Sequence, residues 1–153
     1  MDGRILEDTE YCGNFYGTPA DGVRAALDAG HDMVLEIEVE GAAQVKRIFP
    51  DAVSVMLIPP DAATLEARLR GRGTESDEVV ALRMERARRE ISVSDTYDYI
   101  VVSYDGDADG CAADLASILR AEKLKQPRMR GYADSFFDDR QPNDSLSSVT
   151  IQD

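Results

Sequence analysis

Glu36, Glu38 and Glu40 alternate with Leu35, Ile37 and Val39 in the run LEIEVEG, residues 35–41. In an extended chain the apolar residues face one way and the carboxylates the other. Residues 52–58 form an almost wholly apolar run, which implies a sheet covered on both faces. A carboxylate enclosed in such a sheet needs donors, because a buried charge without a partner is strongly unfavourable. The adjacent N1–H and N2–H2 donors of a guanine ring suit one or two carboxylates, and adenine has no such pair. The competing reading is a half-exposed strand with a wet acidic face.

Arginines make the second constellation. Seven of them (68, 70, 72, 83, 86, 88 and 89) stand against four acids between residues 68 and 89, a net +3 inside a chain of net charge −13. An isolated basic patch on an acidic chain suits a compact anion such as phosphate. Arg83 lies three residues after Val80 and four before Ala87, beside the stripe Val80, Met84, Ala87 and Ile91. Arg68 and Arg72 are i,i+4 neighbours just before the break GRGTES. Two helices joined there and bearing convergent arginines have the character of a mobile lid over phosphates. Surface pairing of Arg68 and Arg72 with Glu66 and Glu75 accounts for the same spacing.

The third is CGNFYGTP, residues 12–19. Gly13-Asn14 reads as a two-residue turn, and Thr18 as a helix N-cap with Pro19 first in the helix and Asp21 as capping-box acid. Tyr16 has no part in that scheme. A phosphate held by its hydroxyl near a helix start would give it one.

These residues require a frame. A strand is expected over Ile5–Tyr11, and a helix after Thr18 carrying Val23, Ala26 and Leu27 inward and stopping at Gly30. The alternation of residues 33–39, a short helix over 41–49 and the apolar strand 52–58 follow. Pro59-Pro60 ends that strand, and Asp61 caps a helix holding Leu65 and Leu69. A helix from Asp77 to about Ser94, a buried strand over Tyr99–Val102 and a helix within 106–124 complete the pattern. Strands alternating with helices predict an α/β fold on a parallel sheet. From residue 126 the composition turns to Pro, Ser, Asp, Asn and Gln without periodicity, so 126–153 is expected to be a disordered tail. Phe136-Phe137, between acids, reads as passive tail or docking motif.

Composition narrows the function classes. One domain with a real core fits 153 residues. No run approaches the roughly 20 apolar residues of a membrane helix, and MDGRILEDTE has no signal-peptide pattern, so a cytoplasmic location is expected. The acidic balance argues against nucleic acid and anionic membranes as partners. Cys12 and Cys111, far apart and without a Cys/His cluster, read as reduced thiols, with no metal site. His31 reads as a solvent-facing loop residue.

The order of motifs is informative in itself: GNFYGTP, LEIEVEGAAQV, FPDAVSVMLIPP, RLRGRGTES, an Arg-bearing helix and YDYIVV. This succession resembles guanylate kinase over about residues 3–123. The resemblance implies a parallel-sheet P-loop kinase-like domain over 1–125 with a small GMP-binding β subdomain and a helical lid. It implies transfer of phosphate from ATP to GMP with Mg²⁺, giving ADP and GDP, with GMP and ATP as small-molecule partners and the oligomeric state left open. By the same resemblance Glu7 and Glu38 contact guanine beside Glu36, and Tyr16 and Thr18 belong to the GMP site. Arg68, Arg72 and Arg83 match the lid arginines that meet the transferring phosphoryl group and ATP. Glu38 replaces the usual Asp, Glu40 the usual Gln, and Ser103 an Asn of the adenine region. A further departure concerns the donor phosphates. The family's GxxxxGK[ST] loop is absent, and none of the three lysines (46, 123, 125) follows a glycine. The expectation is a domain missing its first strand and P-loop, inactive alone. The alternatives are a catalytically dead module that binds GMP or a phosphorylated protein partner, and a non-functional remnant.

Overall fold

The structure, a computed structural model, describes residues 5–11, 14–71 and 76–137, with only the backbone course for 8–11 and 14–16. The chain divides into two compact units, Met1–Ala52 with Arg130–Asp153, and Val53–Met129.

In the first unit, β1 (Ile5–Tyr11) pairs antiparallel with β2 (Asn14–Pro19). Tyr11 stands opposite Asn14, so Asn14 opens the return strand rather than forming the turn, and Cys12 and Gly13 lie outside the described residues. The register shifts between Ile5 and Glu7, where two steps on β1 oppose one step on β2. Such a bulge re-aims side chains, and the consecutive residues Leu6 and Glu7 are both buried.

Helix α1 (Ala20–Asp28) follows directly, with extended Pro19 as its N-cap and no side-chain capping bond. Thr18 is therefore a strand residue and not the expected cap, and its hydroxyl is engaged across the hairpin. Gly30, at φ +83°, ends the helix; its amide bonds the Leu27 carbonyl and that of His31 the Ala26 carbonyl. Only a residue without Cβ adopts this backbone cheaply.

Residues 31–38 carry no strand ladder, contrary to the expectation from their alternation. Alternation fixes which way side chains face, but a ladder needs a partner edge, and no described strand pairs with this segment. Leu35 still packs inward against the core of Leu6, Ala20 and Val23, joined by Val45 and Phe49. Helix α2 (Val39–Ile48) starts two residues ahead of the expected Gly41, with Glu38 as its extended N-cap.

In the second unit, β3 (Val55–Ile58) pairs parallel with β4 (Tyr99–Val102). Asp98 Oδ2 accepts from the Ser54 amide and hydroxyl, both at 2.8 Å, and the Ser103 amide bonds the Ile58 carbonyl at 2.8 Å. The pair is thus fastened at both ends. Between the strands run α3 (Ala62–Gly71), α4 (Asp77–Ile91) and a 3₁₀ turn at Ser94–Thr96. Asp61 caps α3 as expected, accepting from the Thr64 amide at 2.7 Å, and that bond lowers its carboxyl below the usual range. Helix α5 (Ala108–Lys123) packs on β4.

Two expectations need correction here. The strands are not buried on both faces: Met56 and Val101 are buried, while Leu57 and Ile100 are more than half exposed. A pair of strands covered on one side leaves alternate apolar residues open. Nor is the segment after residue 125 wholly irregular, since α6 spans Gln126–Asp134. Pro127 sits in its first turn, where a missing N–H costs nothing, and the Lys125 carbonyl accepts from the Arg128 and Met129 amides. Residues 138–153 lie outside the described residues.

Candidate functional site

Glu7 is the most informative residue of the first unit. It stands directly opposite Thr18 in the hairpin, is only 5 % exposed, and accepts a hydrogen bond from the Thr18 hydroxyl at 2.8 Å on Oε1. A carboxylate has about four acceptor sites, and one hydroxyl fills one of them. Oε2 faces the first turn of α2, where a Cβ on Gly41 would lie 2.8 Å from it. The amides of a helix's first turn have no partners within the helix, and its N-terminal end favours negative charge. A buried acid is tolerable there.

The other expected residues of this unit differ in setting. Glu38 is the half-buried N-cap of α2, its carbonyl accepting from the Ala42 amide at 2.9 Å, whereas Glu36 is exposed. Tyr16 lies in β2 opposite Thr9, with its side chain outside the described residues.

In the second unit the arginines divide. Arg68 donates from Nε to Asp105 Oδ1 at 2.8 Å and from Nη2 to the Ser103 carbonyl at 2.7 Å, fastening α3 to the loop after β4. Arg83 is half-buried on α4, three residues beyond buried Val80. Arg72 lies outside the described residues. Glu66 pairs with Arg70 and not with Arg68: Arg70 donates to Glu66 Oε1 from Nε at 3.0 Å and from Nη2 at 2.9 Å, and also bonds Asp77. The i,i+4 rule already contained this pair, since residues two apart on a helix face different ways. Arg70 thereby joins the end of α3 to the start of α4. The close approach of Gly41 to Glu7 had no such signal, because it joins residues 34 positions apart.

A family model described as guanylate kinase matches residues 2–122. The chain belongs to the guanylate kinase family. It is 45 % identical over 142 residues to the guanylate kinase of Streptococcus thermophilus (strain CNRZ 1066), covering 93 % of this chain and 67 % of that protein. With the guanylate kinase of Chromobacterium violaceum the identity is 46 % over 135 residues, covering 88 % and 63 %. Among solved structures, guanylate kinase from Anaplasma phagocytophilum superposes with a TM-score of 0.69 at 30 % identity, covering 89 % of this chain and 66 % of that one. The α/β kinase-like fold class is thereby shown. The chain spans about two thirds of the length of the relatives it matches.

Guanylate kinases use a nucleoside triphosphate and, typically, Mg²⁺. The residues present do not fit that part of the site. Nothing in the 153 residues supplies the glycine-rich loop and lysine that cradle donor phosphates. Among the described residues no three His, Cys, Asp or Glu side chains gather as a cation site. No helix of the described residues is long and apolar enough to cross a membrane.

Proposed function

We propose that this chain carries the acceptor side of a guanylate kinase site, binding GMP for phosphoryl transfer from ATP to give GDP. The observation that supports this reading most is the buried Glu7 carboxylate, whose acceptor positions outnumber the one hydroxyl that donates to it among the described residues. Guanine N1–H and N2–H are adjacent donors of the kind a carboxylate accepts from. Thr18 holds the carboxylate from across the hairpin, while Glu38 and Glu36 are the neighbouring acids and Tyr16 the phosphate-binding residue that the family resemblance assigns to the GMP site. By the family resemblance Arg83 and Arg72 are the arginines assigned to the phosphoryl groups. Arg68, already engaged by Asp105 and Ser103, acts there only by giving up those bonds.

Phosphoryl transfer relies on positioning and charge stabilisation, and loss of a stabilising group costs orders of magnitude in rate. Binding is therefore the property to test. GMP titrated calorimetrically into the 153-residue chain should bind in preference to AMP. Glu7→Gln should weaken GMP by about 10- to 100-fold, the worth of a hydrogen bond to a charged group, and leave AMP unchanged. Equal binding of GMP and AMP by the native chain would sink the reading. Preference for a phosphorylated peptide over GMP would instead favour a binding module on the same scaffold.

A further inference from the structure

Gly41 is the third residue of α2, a position where alanine would be the better helix former. Its φ is not in the left-handed region, so backbone conformation does not account for glycine. Space does. A Cβ there would meet Glu7 Oε2 at 2.8 Å, Glu7 Cδ at 3.4 Å and Ile37 Cβ at 3.4 Å. Gly41 is buried, and Glu7 is held from its other side by Thr18. Any move of the carboxylate away from a new methyl group shifts a side chain that is only 5 % exposed and bonded through its other oxygen to Thr18.

We propose that Gly41 is a positioning residue: its missing side chain is the space in which the Glu7 carboxylate sits against the first turn of α2. The direction of Glu7 is thus set by three elements, β1 through the bulge, β2 through Thr18, and α2 through Gly41. For guanine recognition this rests on the proposed function, since a carboxylate displaced by about a methyl group's width no longer matches two fixed N–H donors.

Three variants of the 153-residue chain test it: Gly41→Ala, Glu7→Asp and the double variant. Thermal midpoints are read by circular dichroism, and GMP and AMP affinities by calorimetry. The shorter Asp side chain leaves room for the alanine methyl. Glu7→Asp should therefore cost less stability when made on top of Gly41→Ala than in the native chain, a coupling expected only of groups in contact. Gly41→Ala should weaken GMP by about 10- to 100-fold and leave AMP unchanged. If Gly41→Ala fails to fold and the double variant folds, the same contact is demonstrated. Additive midpoints, an unchanged GMP-to-AMP ratio, or failure of both variants to fold would overturn the proposal. Should the native chain show no GMP preference, the guanine reading alone fails, and the midpoint cycle still decides the role of Gly41.

Discussion

Valine in place of Thr18 keeps the side-chain shape and deletes the hydroxyl, so it isolates the bond to Glu7. The partner left behind is a carboxylate only 5 % exposed, and an abandoned buried acceptor costs about 1–3 kcal/mol. Thr18→Val should lower unfolding free energy by that amount in urea titrations, whereas Thr18→Ser should restore most of it. Equal stability of all three proteins would mean that the hydroxyl contributes nothing. At this scale the sequence was legible in residue types and not in partners. Glu7 and Thr18 were identified as site residues by resemblance, yet Thr18 read as a helix cap because Thr-Pro before an acid is a capping pattern. The cross-strand register gave the hydroxyl a different acceptor. Glu66 had its true partner, Arg70, at the spacing that helix geometry requires.

At the scale of elements, the C-terminal turn of α5 is fastened to β4 by a buried acid. Glu122, 4 % exposed, accepts from the Tyr99 hydroxyl at 2.5 Å and pairs with Lys125 at 2.5 Å, with Arg128 at 3.7 Å. Lys125, then Tyr99, hold its carboxyl below the usual glutamate range. A carboxyl lowered on folding stabilises above its unfolded value, and that contribution disappears as pH falls through the folded value. Glu122 in turn raises Lys125 and Tyr99, so their contributions are present at neutral pH and disappear as pH climbs through their raised values. Glu122→Gln should lower the thermal midpoint by on the order of a few degrees at pH 7. The gap should close as the pH is taken below the ordinary glutamate value. A gap that stays constant from neutral to acid pH would remove the carboxylate from this role. Charge spacing contained the Glu122–Lys125 pair, three residues apart, but not the bond to Tyr99, which Glu122 meets through packing of α5 on β4.

Across the whole molecule, the residues proposed for the GMP site and the arginines belong to different compact units, with Glu7, Thr18, Glu36 and Glu38 in one and Arg68 and Arg83 in the other. The donor-phosphate loop is in neither, since no GxxxxGK[ST] run occurs in the 153 residues. A coupled assay with ATP, Mg²⁺ and GMP should accordingly give no turnover above background with this chain, while GMP binding persists. Ordinary guanylate kinase turnover would show that some other group cradles the donor.

The sequence by itself determined the family, the α/β class and the extent of β1 and β4. Those follow from motif order and from local periodicity, which are properties of neighbouring residues. It also located the acid that caps α3 and the glycine that ends α1, because capping chemistry is local. Tertiary structure alone decided that residues 31–38 lack a ladder, that Leu57 and Ile100 stay open, and that Glu7 sits between Thr18 and Gly41. Each of these depends on what a second segment brings near, and no spacing along one segment carries that information.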